Sequence, residues 1–443
     1  MPRIKENKGV TLIALVVTIV VLLILSGITL SAITGDSGVV ENAKSTRDSA
    51  NDMNEFKAIE LAVIDAMTRG NNKLREKDLK EAFANILSQE ELDEITGNGP
   101  WTIKRGKNRY IINDDGEVER YEYMEPTKIW SKLFSNGTLI LSSKEIQSYT
   151  EYDSSATDVT VSQDYKDTAT KWNSADIKKV VILDKIAPQN AYQMFYCTNL
   201  ESIENIENLH TENINNMSSM FYKCNKIKEL DLSRFDTSNV QTMAAMFVEC
   251  SSLEKLNINN FNTANVKSMS QMFQSCTSLK SLDLSSFNTS NVTNMNSMFN
   301  QCTNLTQIDV SSFNTEKVED MDWMFRECKS LQSLNLNSFN TSKVKKFFAM
   351  FARCTKLQNL QIDNFSLSSA ANINDMFAST SNLTNLNLSS FDFSNSPSAI
   401  GFLYGYRSDV YVKNTESAQF VRGVNSSVPI YYDDNGTWVK YTS

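Results

Sequence analysis

The sequence predicts an α/β solenoid of parallel strands with a 26-residue period, preceded by a long N-terminal transmembrane helix and a small α+β module. Three observations carry this prediction. Cysteines recur in steps of 26 from Cys224 to Cys354. No charged residue lies between Gly9 and Gly35. No glycine or proline lies between Gln189 and Ser396, so that long stretch makes its turns from Asn, Asp, Ser and Thr, whose side chains bond to nearby backbone.

The repeat is a supersecondary unit that cannot bury its apolar face alone. One unit reads VxxMxxMFxxCxxLxxLxIxxF over residues 240–261, and eight copies of Met-Phe occur from Met194 to Met376. Spacings of three and four in its first part predict a helical or 3₁₀ segment, and Leu256-x-Ile258 predicts a short strand. A polar return turn follows. Stacked copies would share one continuous core, with parallel strands in register.

The repeats set the predicted domain boundaries. Strands are expected from about Val180–Ile182 to Asn385–Leu388, with Ser408–Val412 as a candidate last rung, so the solenoid is placed at residues 177–412. Residues 127–176 are interpreted as a linker and N-terminal cap. Residues 413–443 are interpreted as the C-terminal cap, since the terminal units of a solenoid need an atypical polar face.

The apolar N-terminal segment predicts a membrane anchor. Residues 10–35 are long enough to span a bilayer as a helix, and three basic residues precede them. The positive-inside rule then places the N-terminus in the cytoplasm and the bulk of the chain outside the cell. A cleaved secretory signal and an ordinary single-pass anchor are the alternatives.

The string KENKGVTLIALVVTIVVLLIL resembles a type IV prepilin leader. The resemblance implies that residues 1–9 are removed by a prepilin peptidase, which cuts after Gly9, and that the new N-terminal Val10 is methylated. The family usually carries Glu five residues into the mature chain, where this sequence has Ala14. Without that carboxylate the charged pair with a neighbour's amine is missing, which puts assembly into a long pilus in doubt.

Residues 36–126 predict a pilin-like α+β module. Helices are expected at Glu41–Arg69 and Lys77–Leu87. Period-two patterns then predict strands at Trp101–Ile103, Tyr110–Ile112 and Val118–Tyr123. One long helix followed by a small antiparallel sheet is the layout that the prepilin resemblance implies.

The repeat phrase MFxxCxxLxxLDLSxFxTSxVxxM, cleanest at Met272–Met295, resembles the BspA-like leucine-rich repeat of bacterial surface proteins. The resemblance covers roughly residues 178–412. It implies an extracellular protein that attaches to host molecules or to other cells, with no catalytic activity in the repeat.

The composition argues against several chemistries. With 43 basic and 52 acidic residues the formal net charge is −9, which disfavours nucleic-acid binding. The single histidine, His210, is interpreted as a solvated loop residue, and one histidine cannot supply a His-rich zinc site. A pair of catalytic carboxylates is the enzymatic arrangement that the sequence leaves open. The protein is therefore predicted to be no enzyme and to use no cofactor or metal.

The cysteines invite a metal or redox interpretation, but no CxxC motif is present. Their slot lies between apolar positions, so a ladder of free core thiols is predicted, with disulfide pairing and metal binding as alternatives. The same logic places the methionine column in the core. The predicted core ladder comprises Cys197, Cys224, Cys250, Cys276, Cys302, Cys328 and Cys354.

Two large residues interrupt outward columns that are otherwise small or polar. Trp323 and Phe348 belong to adjacent repeats and have Lys345, Lys346 and Arg353 nearby, a composition typical of binding hot spots. Packing against the N-terminal module or a neighbouring loop is the alternative. A second outward column of Asp, Asn and Gln, from Asp231 to Asn387, could bind Ca²⁺ or glycan hydroxyls, or its side chains could bond to one another and to the turns.

The predicted function is that of a membrane-anchored cell-surface protein whose solenoid serves adhesion or recognition. Its expected partners are the membrane, the prepilin peptidase and an extracellular protein or glycan ligand. The alternative is a minor pilin or pseudopilin, a structural subunit of a type IV pilus-like surface filament, whose partners would be other pilins.

Overall fold

The computed structural model describes residues 38–70, 73–95, 101–105, 108–113, 116–122, 124, 126–153, 161–164, 172 and 175–442. The predicted leader and transmembrane segment, with Gly9, Val10 and Ala14, lie outside these residues. Within the described part of the chain, no helix has both the length and the apolar character that a membrane crossing requires. The chain divides into two compact units, residues 1–58 and 59–443.

Residues 38–122 form helices and a small antiparallel sheet. Helix α1 spans Gly38–Arg69, α2 spans Glu76–Phe83 and α3 spans Gln89–Glu94. The sequence did not predict α3, a six-residue helix that begins at a capping box in which Ser88 and Glu91 bond each other's backbone. Strands β1 (Trp101–Arg105), β2 (Asn108–Ile112) and β3 (Val118–Glu122) pair antiparallel in sequence order.

A five-stranded sheet opens the solenoid. Strands β4 (Trp130–Phe134), β5 (Thr138–Ser142), β6 (Val161–Asp164), β7 (Lys179–Ile182) and β8 (Ser202–Glu204) lie in the order β6-β4-β5-β7-β8. Short 3₁₀ helices lie at Tyr149–Glu151 and Ile206–Asn208. The segment interpreted as a linker thus contains a hairpin, closed at Gly137 with φ of +87°, whose β5 pairs in parallel with β7.

The repeats contribute short parallel strands in register. They are β9 (Glu229–Asp231), β10 (Lys255–Asn257), β11 (Ser333–Asn335), β12 (Asn359–Gln361), β13 (Leu386–Leu388) and β14 (Val410–Val412). β9 pairs with β10 and β11 with β12 at an offset of 26 residues. The two repeats between β10 and β11 form no named strand in this column. Helix α4 (Thr415–Val424), β15 (Ile430–Asp434) and β16 (Thr437–Lys440) cover the last rung, β14.

The segments predicted as helical are consecutive tight turns. In the segment 217–224, Ser219 and Lys223 have left-handed φ values of 57° and 61°. Alternate amides close turns locally, as from Met220 N to Met217 O at 3.2 Å. The others donate to the next repeat, as from Phe221 N to Met246 O at 2.9 Å. Spacings of three and four fit these turns as well as they fit a helix, which is why the sequence did not distinguish them.

The turns, more than the strands, join successive repeats. Parallel bridges run in series from Asn216–Thr242 to Asn372–Ser398, one per repeat. The series ends in a ninth unit without the Met-Phe phrase, in which Phe402 and Leu403 replace those residues and Phe402 O accepts a hydrogen bond from Phe377 N at 3.0 Å. The solenoid therefore has one more turn unit than the phrase count suggests.

The core is built from columns of identical side chains. The phenylalanines of the Met-Phe phrase stack from Phe195 to Phe377 with ring centroids 5.4–6.1 Å apart. Trp172 stacks on the first of them at 5.7 Å. The methionines and leucines of the repeats are buried in the same cluster. One continuous core thus runs through the stack, as expected when no unit is stable alone.

Candidate ligand-binding groove

The turn ladder places a groove on the surface of the last repeats. It extends over residues 271–404, has a volume of about 650 Å³ and is lined by side chains at the left-handed turn positions or immediately before them. We call it the turn groove. Its lining residues are Gln271, Gln274, Ser297, Asn300, Trp323, Arg326, Phe348, Ala349, Ala352, Arg353, Asp375, Ala378, Ser379 and Tyr404.

Trp323 and Phe348 both line the turn groove and contact each other. Their rings meet edge to face, with centroids 5.2 Å apart and planes at 86°. Both side chains are half-buried and pack on Ala349, Ala352 and Ala378. Because these three positions are alanine, the aromatic pair has a low, apolar floor on one side and open space above it.

The cations predicted near this pair are all held by carboxylates. Lys345 Nζ lies 2.7 Å from Glu319, and Lys346 Nζ lies 2.9 Å from Asp320. Neither lysine lines the groove. Arg353 does, and it shares Glu327 with Arg326, at 3.4 and 2.7 Å. The structure thus brings together Trp323, Phe348 and Arg353 of the five predicted residues, and two carboxylates, Glu327 and Asp375, oppose the two arginines of the lining.

Lys346 replaces a residue that elsewhere caps the turn. In the repeat before it, Asp320 Oδ1 accepts the backbone N–H of Asp322 at 3.0 Å. Lys346 cannot do this, and the Phe348 N–H instead donates to Asp322 Oδ1 at 2.6 Å. Burial raises the pKa of Asp322 to about 6, against the opposing effect of that hydrogen bond. Asp322 therefore fixes the backbone that carries Phe348.

Several groove residues were not predicted. One column of the turns contains the residue after the phenylalanine, or after Leu403 in the ninth unit. This column supplies Asn300, Arg326, Ala378 and Tyr404. Comparing this column between repeats would have found it, because it changes from Tyr196 and Tyr222 through amides to alanine. Tyr404 belongs to the ninth unit, which the Met-Phe phrase did not reveal.

The cysteine ladder lies inside the core. All seven cysteines are buried, and Cys224 to Cys354 are free thiols. Each Sγ lies 2.7–3.2 Å from a backbone carbonyl, as Cys276 does to Phe247 O at 3.1 Å. Burial raises the pKa of Cys302 and of Cys354 to about 12. These thiols stay protonated at neutral pH, where a thiolate would be needed for redox or metal chemistry.

The structure corrects the interpretation of His210. The side chain of His210 is only 10% exposed, so its interpretation as a solvated residue is wrong; its Nδ1 lies 3.2 Å from Glu212 Oε1. Burial alone would raise the pKa of Glu212, but hydrogen bonds from His210 and the Met124 N–H lower it.

In the outward strand column, the side chains of Asp231, Asp283 and Asp309 each accept a hydrogen bond from the backbone N–H two residues later, at 2.9–3.0 Å.

The repeats and their parallel in-register stacking define a leucine-rich-repeat type solenoid. Residues 127–245 match the family model described as "BspA type Leucine rich repeat region (6 copies)". Residues 189–308 and 279–391 match the model described as "Mycoplasma protein of unknown function, DUF285". Residues 127–245 therefore carry BspA-type leucine-rich repeats, and neither model is that of an enzyme. The first match begins at residue 127, inside the segment that the sequence analysis assigned to a linker.

Two solved structures match the chain at low identity. A leucine-rich repeat protein from T. pallidum is 15% identical, with coverage of 58% of this chain and 91% of that chain and a TM-score of 0.30. A leucine-rich repeat protein from Bacteroides ovatus is 13% identical, with coverage of 71% and 100% and a TM-score of 0.27. No curated protein matches the sequence.

Proposed function

We propose that this protein is a non-catalytic recognition protein of the cell surface, and that the turn groove is its ligand-binding site. The observation that carries the proposal is the half-buried Trp323–Phe348 pair on an alanine floor. Core aromatics of the repeat are fully buried, whereas these two rings reach solvent from columns whose other members from residue 218 to residue 375 are small or polar. Exposed aromatic clusters of this kind are typical of binding sites.

The groove also fits recognition better than catalysis. Catalysis of acyl transfer or hydrolysis by a side chain needs a nucleophile held next to a base. Among the described groove residues, the arginines are bound to Glu327, and no hydrogen bond joins the carboxylate of Asp375 to the serines of the lining. The turn groove is a concave, partly apolar surface whose charged side chains are opposed by side chains of the other sign. Such a surface suits the binding of a ligand that is not chemically changed.

In this proposal the N-terminal segment anchors the chain in the membrane, with the solenoid outside the cell, after a prepilin peptidase has removed residues 1–9. The uncharged residues 10–35 and the leader-like string support this arrangement. The ligand is an extracellular protein or glycan.

The test is binding of the purified, labelled full-length chain to intact cells. Trp323→Ala and Phe348→Ala should each weaken saturable binding at least about tenfold, the size expected for a hot-spot aromatic. The matched control is Tyr222→Ala. Tyr222 is half-exposed, meets Tyr196 edge to face at 5.1 Å and comes from the same column as Arg326, but lies outside the groove. Equal binding by all three variants would reject the groove as the site.

A filament-subunit function is the second candidate. The 32-residue helix α1, followed by the antiparallel strands β1 to β3, favours it. It predicts that the full-length chain copurifies with surface filaments, and that Trp323→Ala changes neither its assembly nor any attachment.

A further inference from the structure

The turn groove contains a buried amide that the protein leaves unsatisfied. Asn300 is 8% exposed, and its Oδ1 is buried without a hydrogen-bond partner among the described residues. Leaving such a group unpaired costs about 1–3 kcal/mol. Most buried polar groups in folded proteins are paired, so an exception among the residues that line a groove is a candidate contact for a ligand.

Further amides lie beside Asn300. Gln274 occupies the same column one repeat earlier, and Gln271 lines the same end of the groove. Parallel neighbours in a stack are about 5 Å apart, so the amides of Gln274 and Asn300 face the groove at that spacing. A primary amide offers both a donor and an acceptor. Two of them in a row match a molecule whose neighbouring groups also donate and accept.

Trp323 lies one repeat beyond Asn300 in a different column of the turn, and the amides and the aromatic pair line the same groove. The face of an indole ring is electron-rich and attracts weakly positive C–H groups. Phe348 meets Trp323 edge to face and holds the orientation of its ring. The groove therefore offers the flat apolar ring of Trp323 together with a row of amides.

We propose that the turn groove binds a glycan, with a pyranose ring stacked on Trp323 and its hydroxyls bonded to Asn300 and Gln274. A pyranose has an apolar C–H face and a rim of hydroxyls that both donate and accept, which matches these two parts of the groove. The volume of about 650 Å³ lies in the range of about 300–1,000 Å³ that small-ligand sites show.

The charges of the groove favour an uncharged sugar surface over a phosphate. Arg326 and Arg353 share the single carboxylate of Glu327, so Asp375 is the second carboxylate that opposes the two guanidinium groups of the lining. Asp375, which lines the opposite end, would repel an anion. The protein-ligand alternative differs in that it needs no sugar-specific contact to Asn300.

This inference rests on the proposed function, because it names the ligand class of the same groove. The test uses the purified full-length chain on an array of neutral and sialylated oligosaccharides. We expect binding to a related set of neutral glycans. Trp323→Ala and Asn300→Leu should weaken that binding at least tenfold, and Tyr222→Ala should leave it unchanged.

Asn300→Leu separates a binding function from a structural one. Leucine has a similar size and removes the unpaired amide, so the thermal unfolding midpoint should stay the same or rise. A variant that folds at least as well and binds less glycan supports the proposal. Unchanged glycan binding by Asn300→Leu would overturn the assigned contact.

Intact cells, with and without enzymatic removal of their surface glycans, distinguish the two proposals. Loss of binding after glycan removal supports the glycan site. Binding that survives this treatment but is lost in Trp323→Ala identifies a protein ligand, so the glycan inference fails while the proposed function stands. Binding that Trp323→Ala does not change, or a lack of binding to both array and cells, rejects both.

Discussion

Two adjacent alanines allow the backbone strain of the turn ladder to be measured directly. Ala244 and Ala245 lie in the same turn and are both half-exposed. Ala245 has a left-handed φ of 58°, and Ala244 is not among the residues with positive φ. The substitutions Ala244→Gly and Ala245→Gly remove the same atoms and loosen the unfolded chain equally, so their difference isolates the conformational term.

The expected difference follows from the penalty on left-handed backbone. An L-residue with a Cβ pays roughly 1–2 kcal/mol in this region, and glycine pays almost none. Glycine also costs about 0.5–1 kcal/mol through the entropy of the unfolded chain. Ala244→Gly should therefore destabilise by about 0.5–1 kcal/mol, whereas Ala245→Gly should be neutral or stabilising by up to about 1.5 kcal/mol.

The measurement is the free energy of unfolding in urea, followed by circular dichroism on the full-length chain, with equal slopes required for a direct comparison. Ala245→Val provides a third point, since a β-branched residue is a poor fit to left-handed backbone and should destabilise. Equal losses for Ala244→Gly and Ala245→Gly, within about 0.3 kcal/mol, would show that the turn geometry described here is wrong.

The remaining predictions concern a carboxyl, the thiols and the N-terminus. Since folding raises the pKa of Asp322 to about 6, the stability of the protein should fall as pH rises from about 4 to 6. The variant Asp322→Asn should lose this pH dependence. In thermal unfolding curves at pH 7.5 it should be more stable than the original protein by about 1–3 kcal/mol. Because burial raises the pKa of Cys302 to about 12, its thiol should react with a thiol reagent only after unfolding, and rapid native labelling would contradict the core ladder. Mass spectrometry on native membranes should find a mature chain that begins at methylated Val10; a chain that begins at Met1 or Pro2 would reject prepilin processing and the filament alternative.

The sequence predicted the solenoid because its period is written in residues that must be buried. Met246, Phe247 and Cys250 recur at 26-residue steps, and in-register stacking is the arrangement that buries every copy. The same pattern did not predict the turn conformation. Consecutive turns and a helix both place residues three and four apart on one side, and the choice between them depends on hydrogen bonds to the next repeat, such as Phe247 N to Met272 O at 2.9 Å.

The binding groove was only partly predictable for a related reason. Trp323 and Phe348 stood out because they break columns of small residues. The alanine floor and Asn300 did not, since alanine and asparagine are ordinary in such columns and acquire meaning only from their neighbours. Lys345 and Lys346 were predicted to belong to the site but do not line the groove. Their carboxylate partners lie 26 residues earlier in the chain, so the nearby sequence does not reveal them.

The ninth unit shows what the left-handed positions require. Its two left-handed residues are Gly401 and Gly405, with φ of 67° and 75°, while in the preceding repeats these columns hold residues with side chains. Glycine would relieve strain in every repeat, yet its absence there leaves side chains that project from the turns at fixed spacing. Trp323 occupies one of these positions, at φ of 57°. Residues with side chains at the left-handed positions therefore strain the backbone of the stack and also display the binding residues. A stabilising substitution of glycine at position 323 would remove Trp323 from the groove.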